Sequence, residues 1–138
     1  MPGGLNESGL IGLAAFPVIK FTGYSLAGYF LKHRYQDPTV SSLKFGAART
    51  ALGAIAGIAY VFVVGSLRAS GTEFYLGLIP VRIAEWLLII WIFFDYGSQE
   101  TRPARRVKYS ILGAGWSYIL DLSIIVPALL IPDWFWIC

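Results

Sequence analysis

The stretch from Phe74 to Phe94, FYLGLIPVRIAEWLLIIWIFF, decides the fold that the sequence predicts. Its length is close to the roughly 20 apolar residues that a helix needs to cross a bilayer. Inside lipid a helix satisfies its own backbone hydrogen bonds, so a run of this kind favours a helix. The stretch also contains two charged residues, Arg82 and Glu85. It therefore predicts a transmembrane helix with two charges inside the membrane.

Three further apolar stretches of similar length occur in the chain, at residues 9–31, 45–67 and 107–131. The connections between the four stretches are short and contain the helix breakers Gly and Pro. Short connections favour antiparallel neighbours. The sequence therefore predicts an all-α fold with a single domain over residues 1–138. This domain is expected to be an integral membrane bundle of four transmembrane helices in up-down-up-down order.

The composition of the chain agrees with a membrane protein and argues against other classes. Of the 138 residues, 57% are hydrophobic and 14% are charged, whereas an ordinary soluble domain has about 45–50% and about 25%. The mean hydropathy is +0.64. The net charge of +3 is divided between short segments, which argues against a nucleic-acid partner. The single cysteine, Cys138, excludes an internal disulfide and a cysteine-based metal site, and we expect neither a metal nor a cofactor.

The Lys and Arg residues of the connections are distributed unevenly between the two sides of the predicted bundle. The first and third connections, which lie on one side, carry seven basic residues: Lys32, Arg34, Lys44, Arg102, Arg105, Arg106 and Lys108. The other side, which holds the second connection and both termini, carries only Arg68. Because cytoplasmic loops retain Lys and Arg, these two connections are predicted to be cytoplasmic and both termini non-cytoplasmic, in the plasma membrane. Candidate contacts for anionic lipid head groups are Arg34, Arg102, Arg105 and Arg106.

Four charged residues lie inside the predicted spans at similar depth: Lys20, Arg82, Glu85 and Asp121. A charge at the centre of a bilayer costs at least about 2.5–3.5 kcal/mol, so each needs a partner or water. Arg82 and Glu85 are three residues apart and share one helix face. This face is predicted to point into the bundle, toward Lys20 and Asp121. Arg49 is placed nearer the cytoplasmic end of the second helix, outside this group.

Hydroxyl groups accompany these charges on the same helix faces. Tyr24 lies one turn after Lys20, and Ser117 and Tyr118 lie one turn before Asp121. The charges and hydroxyls together form a candidate ligand- or ion-binding site. In this hypothesis Glu85 and Asp121 titrate or bind a cation, and the two basic residues tune their charge or bind an anion.

Two other features have mainly structural interpretations. Gly53 and Gly57 have a G-x-x-x-G spacing, which allows close helix packing, and packing within the chain is favoured over a homo-oligomer. Trp134 and Trp136 are typical of an anchor at the outer membrane boundary. Trp86 is expected to pack in the bundle or face lipid.

Three functions fit the sequence. The leading hypothesis is a small multi-pass membrane protein that binds or conducts an ion, a proton or a small polar solute. One alternative is an accessory subunit of a membrane complex that uses its charges for helix pairing. The other is a small membrane enzyme acting on a lipid or isoprenoid, so whether the chain is an enzyme stays open. The expected partners are the bilayer with its anionic lipids, and a second copy or another membrane subunit.

Overall fold

A computed structural model describes the chain at residues 7–66, 71–96 and 102–130. These ranges form four helices and contain no strand: α1 (Glu7–Tyr35), α2 (Ser42–Ser66), α3 (Gly71–Ile90, continued by a π-helical turn at Trp91–Asp95) and α4 (Pro103–Leu130). The prediction of an all-α chain with four helices is therefore confirmed. The predictions made for Arg68, Trp134, Trp136 and Cys138 concern residues outside the described ranges.

Helices that follow one another along the chain pack side by side in opposite directions. At the beginning of α2, the ring of Phe45 lies 5.4 Å from the ring of Phe93 near the end of the π-helical turn. Toward the other end of α2, the hydroxyl of Tyr60 donates to the carbonyl oxygen of Phe74, at 2.6 Å, near the beginning of α3. α1 packs mainly against α2, α3 packs mainly against α4, and α1 also contacts α4.

An aromatic cluster forms the core at the end of the bundle that holds the α1–α2 connection. Phe45 is fully buried, and its ring lies 5.9 Å from those of Trp86 and Phe94. Such ring pairs contribute about 0.5–1.5 kcal/mol beyond the burial of their area. The cluster therefore fixes the beginning of α2 against α3.

Glycines allow the helices to approach closely around this core. A Cβ atom added at Gly113 of α4 would overlap the indole of Trp86, and one added at Gly46 of α2 would overlap the side chain of Ser25. Small residues of this kind permit close helix contact where no large hydrophobic side chain would fit. The large indole of Trp86 is accommodated because α4 carries no side chain at this position.

Two helical stretches of the described chain are long and apolar enough to cross a membrane: Ser42–Gly65 and Thr72–Asp95, with mean hydropathies of 1.8 and 1.9. Of the most apolar part of each stretch, only 6% is buried inside the protein in the first and 28% in the second. Large apolar surfaces left uncovered in this way are typical of contact with lipid or with another protein. The predicted spans in α1 and α4 are not among these two stretches and stay predictions.

The close approach at Gly113 can be tested with a matched pair of substitutions on α4. Gly113→Ala places a methyl group against the Trp86 indole, and we expect a loss of about 1–3 kcal/mol in the free energy of unfolding because the site is already filled. At Gly115 no described atom lies within 4 Å of the added Cβ. Gly115→Ala is therefore expected to be neutral or to stabilise the helix by up to about 1 kcal/mol. Unfolding in detergent, followed by circular dichroism, measures both; equal effects would contradict the packing.

Candidate functional site

The most buried ion pair of the described chain joins α2 to α3. Nη2 of Arg49 lies 2.6 Å from Oε2 of Glu85, and the two side chains are 0% and 5% exposed. Arg82 lies one turn before Glu85 on α3, and its Nη1 lies 3.3 Å from the same carboxylate oxygen. A single oxygen atom of Glu85 thus accepts hydrogen bonds from two guanidinium groups.

A second carboxylate extends the network to α1 and α4. Nζ of Lys20 pairs with Oδ1 of Asp121, and Nη2 of Arg82 lies 3.6 Å from Oδ2 of the same carboxylate. Arg82 therefore bridges Glu85 and Asp121. The five charged side chains, one or two from each helix, form one continuous charge network: Lys20, Asp121, Arg82, Glu85 and Arg49.

Ser117 collects the neutral hydrogen bonds beside this charge network. Its buried hydroxyl oxygen accepts from Nε1 of Trp86 at 2.9 Å and from the hydroxyl of Tyr24 at 3.3 Å, and Nη2 of Arg49 lies 3.5 Å from the same oxygen. The hydroxyl donates in turn to the carbonyl oxygen of Gly113, at 3.2 Å. These bonds hold a serine of α4 against side chains of the other three helices.

The guanidinium of Arg49 lies between two aromatic rings. Its central carbon is 4.8 Å from the ring centroid of Tyr24 and 5.1 Å from that of Trp86. A cation over an aromatic face is attracted by the ring quadrupole, by about 2 kcal/mol where water is excluded. The rings therefore stabilise a positive charge deep in the protein and fix the orientation of its N–H groups.

Several of these N–H groups have no hydrogen-bond partner. Nε and Nη1 of Arg49 and Nε of Arg82 are buried and unpartnered within the described structure. A Cβ atom added at Gly53 of α2 would lie 2.9 Å from Nη1 of Arg49 and 3.5 Å from Nη1 of Arg82. Both guanidinium groups therefore flank the backbone of α2 at Gly53. Gly57, one turn further along, has no described atom within 4 Å of its added Cβ.

The formal charges of the network do not cancel. Three cations (Lys20, Arg49 and Arg82) face two carboxylates (Glu85 and Asp121), which leaves 3 − 2 = +1 when all are ionised. Isolated charges are costly to bury, and paired ones are tolerated when their remaining hydrogen-bonding groups are satisfied. The network thus has one positive charge more than it has negative charges, and its unpartnered N–H groups occur on two of the three cations, Arg49 and Arg82.

The structure brings together all four charged residues that the sequence singled out, along with Tyr24 and Ser117. The hydroxyl of the remaining predicted member, Tyr118, is buried without a hydrogen-bond partner in the described structure. Two members were not expected. The sequence placed Arg49 toward one end of its helix, whereas the structure places its guanidinium against Glu85. Trp86 was expected to pack in the bundle or to face lipid; it is buried in the bundle and also donates a hydrogen bond to Ser117.

The candidate lipid-binding arginines lie at the end of the bundle where α1 ends and α4 begins: Arg34, Arg102, Arg105 and Arg106. Nε of Arg106 lies 3.4 Å from Oδ2 of the buried Asp95, so this arginine has a structural partner. The guanidinium of Arg105 lies 4.2 Å from the ring centroid of Tyr35. Burial, together with the charge of Asp95, raises the pKa of Tyr35 to about 12. The Tyr35 phenol therefore stays neutral at physiological pH.

Comparison with protein-family models, with curated proteins and with solved structures found no match. A functional conclusion therefore rests on the geometry. Within the described ranges no group of three or more His, Cys, Asp or Glu side chains could hold a metal ion. The chemistry that this arrangement offers is electrostatic, namely binding or exchange of an ion or a proton by buried charges.

Neutralising either carboxylate tests how far burial sets the cost of breaking the network. Glu85→Gln leaves two arginines facing a neutral amide, and we expect it to lower the free energy of unfolding by about 3–5 kcal/mol. Asp121→Asn should cost less, because the side chain of Asp121 is 22% exposed and water can replace part of the lost interaction. Thermal or denaturant unfolding in detergent compares the two variants. Equal losses would show that burial does not control the cost.

Proposed function

We propose that this protein is a multi-pass membrane protein whose charge network binds a small anion inside the membrane, as an ion-binding or ion-conducting site. The observation that carries this proposal is the surplus of one cation, together with the unpartnered N–H groups of the fully buried Arg49. An anion near Gly53 would balance the charge and accept hydrogen bonds from both arginines. Arg49 and Arg82 are the binding residues in this proposal.

In the hypothesis drawn from the sequence, Glu85 and Asp121 titrate or bind a cation, and Lys20 and Arg82 tune their charge or bind an anion. The present proposal keeps only the anion and assigns it to Arg49 and Arg82. Both carboxylates already accept from cationic side chains: Glu85 from Arg49 and Arg82, and Asp121 from Lys20 and Arg82. A bound cation would have to displace one of these partners. An anion requires no such exchange, because the free donors are on the arginines.

The proposed membrane arrangement has all four helices spanning in up-down-up-down order, with both termini outside the cytoplasm. The uncovered apolar surface of α2 and α3 supports contact with lipid. The arginines of the first and third connections lie at one end of the bundle, where Arg105 stacks on Tyr35. Positive residues gathered on one side favour a cytoplasmic position for that side.

A second candidate function is structural, because the network contacts every helix. In that case the charges only determine which helices pair, either within this bundle or with a partner subunit of a membrane complex. Replacing both members of a buried pair with apolar residues is often neutral or stabilising. Lys20→Met combined with Asp121→Leu should then preserve the folding of the bundle and, if the protein is an accessory subunit, the activity of the membrane complex that contains it.

The anion proposal predicts different effects for two glycines on the same helix. Gly53→Ala places a methyl group beside Nη1 of Arg49, whereas Gly57→Ala points into open space, and both changes raise helix propensity alike. We expect chloride, compared with gluconate at equal ionic strength, to raise the melting temperature of the wild type and of Gly57→Ala, because a ligand stabilises the state that binds it. Gly53→Ala should weaken this stabilisation at least severalfold.

The same three proteins in liposomes, loaded with a chloride-sensitive dye, report whether binding is accompanied by conduction. Stabilisation with no flux would assign the protein to anion binding alone. A wild-type protein that responds identically to chloride and gluconate would contradict the anion site and favour the structural candidate.

The proposed orientation can be tested with the single cysteine. A membrane-impermeant maleimide added to intact cells should label Cys138, because the C-terminus is proposed to be non-cytoplasmic. When Thr39→Cys in the first connection is combined with Cys138→Ser, the new thiol should react only after the cells are permeabilised. The reverse labelling pattern would show that the bundle is inserted in the opposite direction.

A further inference from the structure

An apolar groove with a volume of about 360 Å³ lies between α1 and α4. Its walls come from both helices, and the buried indole of Trp86 lines it from α3; the other principal lining residues are Leu26, Ala27, Phe30, Leu112 and Trp116. At one end of the groove, Nε1 of Trp116 donates to the carbonyl oxygen of Gly23 at 3.0 Å. This hydrogen bond joins α1 to α4 at that end. The lining of the groove contains no charged residue in the described structure.

Two guanidinium groups lie at the opposite end of this groove, one on each wall. The guanidinium carbon of Arg34 is 5.1 Å from the ring centroid of Phe30 on α1. That of Arg105 is 6.0 Å from the ring centroid of Tyr109 on α4, and both rings line the groove. Neither arginine forms an ion pair within the described ranges, in contrast to Arg106, which is paired with Asp95.

From these two features we propose that the groove binds one acyl chain of an anionic phospholipid, whose phosphate contacts Arg34 and Arg105. This inference rests on the membrane location in the proposed function. Guanidinium groups match phosphate geometry with two parallel hydrogen bonds. From Leu26 to Arg34 the groove and its basic end span about 12 Å along α1. This is most of the roughly 15 Å of hydrocarbon in one leaflet of a 30 Å core.

The chemistry of the groove favours binding over catalysis. Its described lining contains no carboxylate and no amine that could act as an acid or base on a lipid. The basic residues lie at one end only, so a charged head group and an apolar chain are recognised at different places. This pattern matches an intact anionic lipid better than a soluble anion, which would gain nothing from the apolar wall.

Fluorescence quenching can test the site, because two tryptophans line the groove. Replacing Trp91, Trp134 and Trp136 with Phe leaves Trp86 and Trp116 as the only indoles. The protein is reconstituted in phosphatidylcholine vesicles, and chain-brominated phosphatidylglycerol is introduced at rising mole fraction. We expect saturable quenching that is half complete at a mole fraction at least fivefold lower than with brominated phosphatidylcholine.

Head-group and chain recognition are tested by separate variants. Arg34→Gln and Arg105→Gln should each raise the half-quenching mole fraction about fivefold, since a basic residue near an anionic surface contributes about a factor of five in binding. Lys44→Gln removes the same charge from an exposed residue outside the groove and should leave the value unchanged. Ala27→Phe fills the groove and should abolish the saturable component while the protein remains folded.

The outcomes separate this inference from the proposed function. Failure of the protein to float with the vesicles would contradict the membrane location itself. Flotation with equal quenching by the two brominated lipids would overturn the anionic-lipid site alone. Flotation without quenching, accompanied by a crosslinked dimer through Leu26→Cys, would show that a second copy of the chain covers the groove.

Discussion

The carboxylate of Glu85 is the constraint on which the rest of the structure depends, because it is buried beside two arginines and is the only carboxylate that pairs with Arg49 in the described structure. Arg49 from α2 and Arg82 from α3, the helix that carries Glu85, both contact one oxygen of this carboxylate, at 2.6 and 3.3 Å. In a protein interior a charge without a partner costs several kcal/mol. The positions of α2 and α3 relative to each other are therefore tied to this contact, and Arg82 carries the constraint on to Asp121 and to the two outer helices.

Packing around the charges follows from the same requirement. The guanidinium of Arg49 needs aromatic faces in place of water, and Tyr24 and Trp86 supply them. The indole of Trp86 fits against α4 only because position 113 is a glycine. It also donates to Ser117, so the neutral hydrogen bonds and the ion pairs share one centre. On the outside, α2 and α3 keep most of their apolar surface uncovered, and this uncovered surface supports the proposed contact with lipid.

The sequence allowed a good part of the site to be predicted. Helix depth alone placed Lys20, Arg82, Glu85 and Asp121 at one level, since rise per residue is nearly constant and a mid-span charge needs a partner. It did not reveal Arg49 as a member, because its partner depends on how far α2 is shifted along α3, and that shift depends on tertiary contacts such as the packing of Phe45 against Phe93. It also did not distinguish Gly53 from Gly57. The two have the same spacing signal, but only the rotation of α2 in the bundle turns one toward the arginines and leaves the other in open space.

The apolar runs and the breakers between them were enough to determine four helices, because backbone hydrogen bonding and hydropathy act locally. The uneven distribution of Lys and Arg was enough to propose an orientation, since it depends on which connection carries the charge and not on contacts. Only the tertiary structure decided which partners the buried charges take, that one positive charge is left over, and that Arg34 and Arg105 lie at one end of a shared groove. Those properties depend on the shift and rotation of packed helices, and these arise from side-chain contacts between residues far apart in the chain.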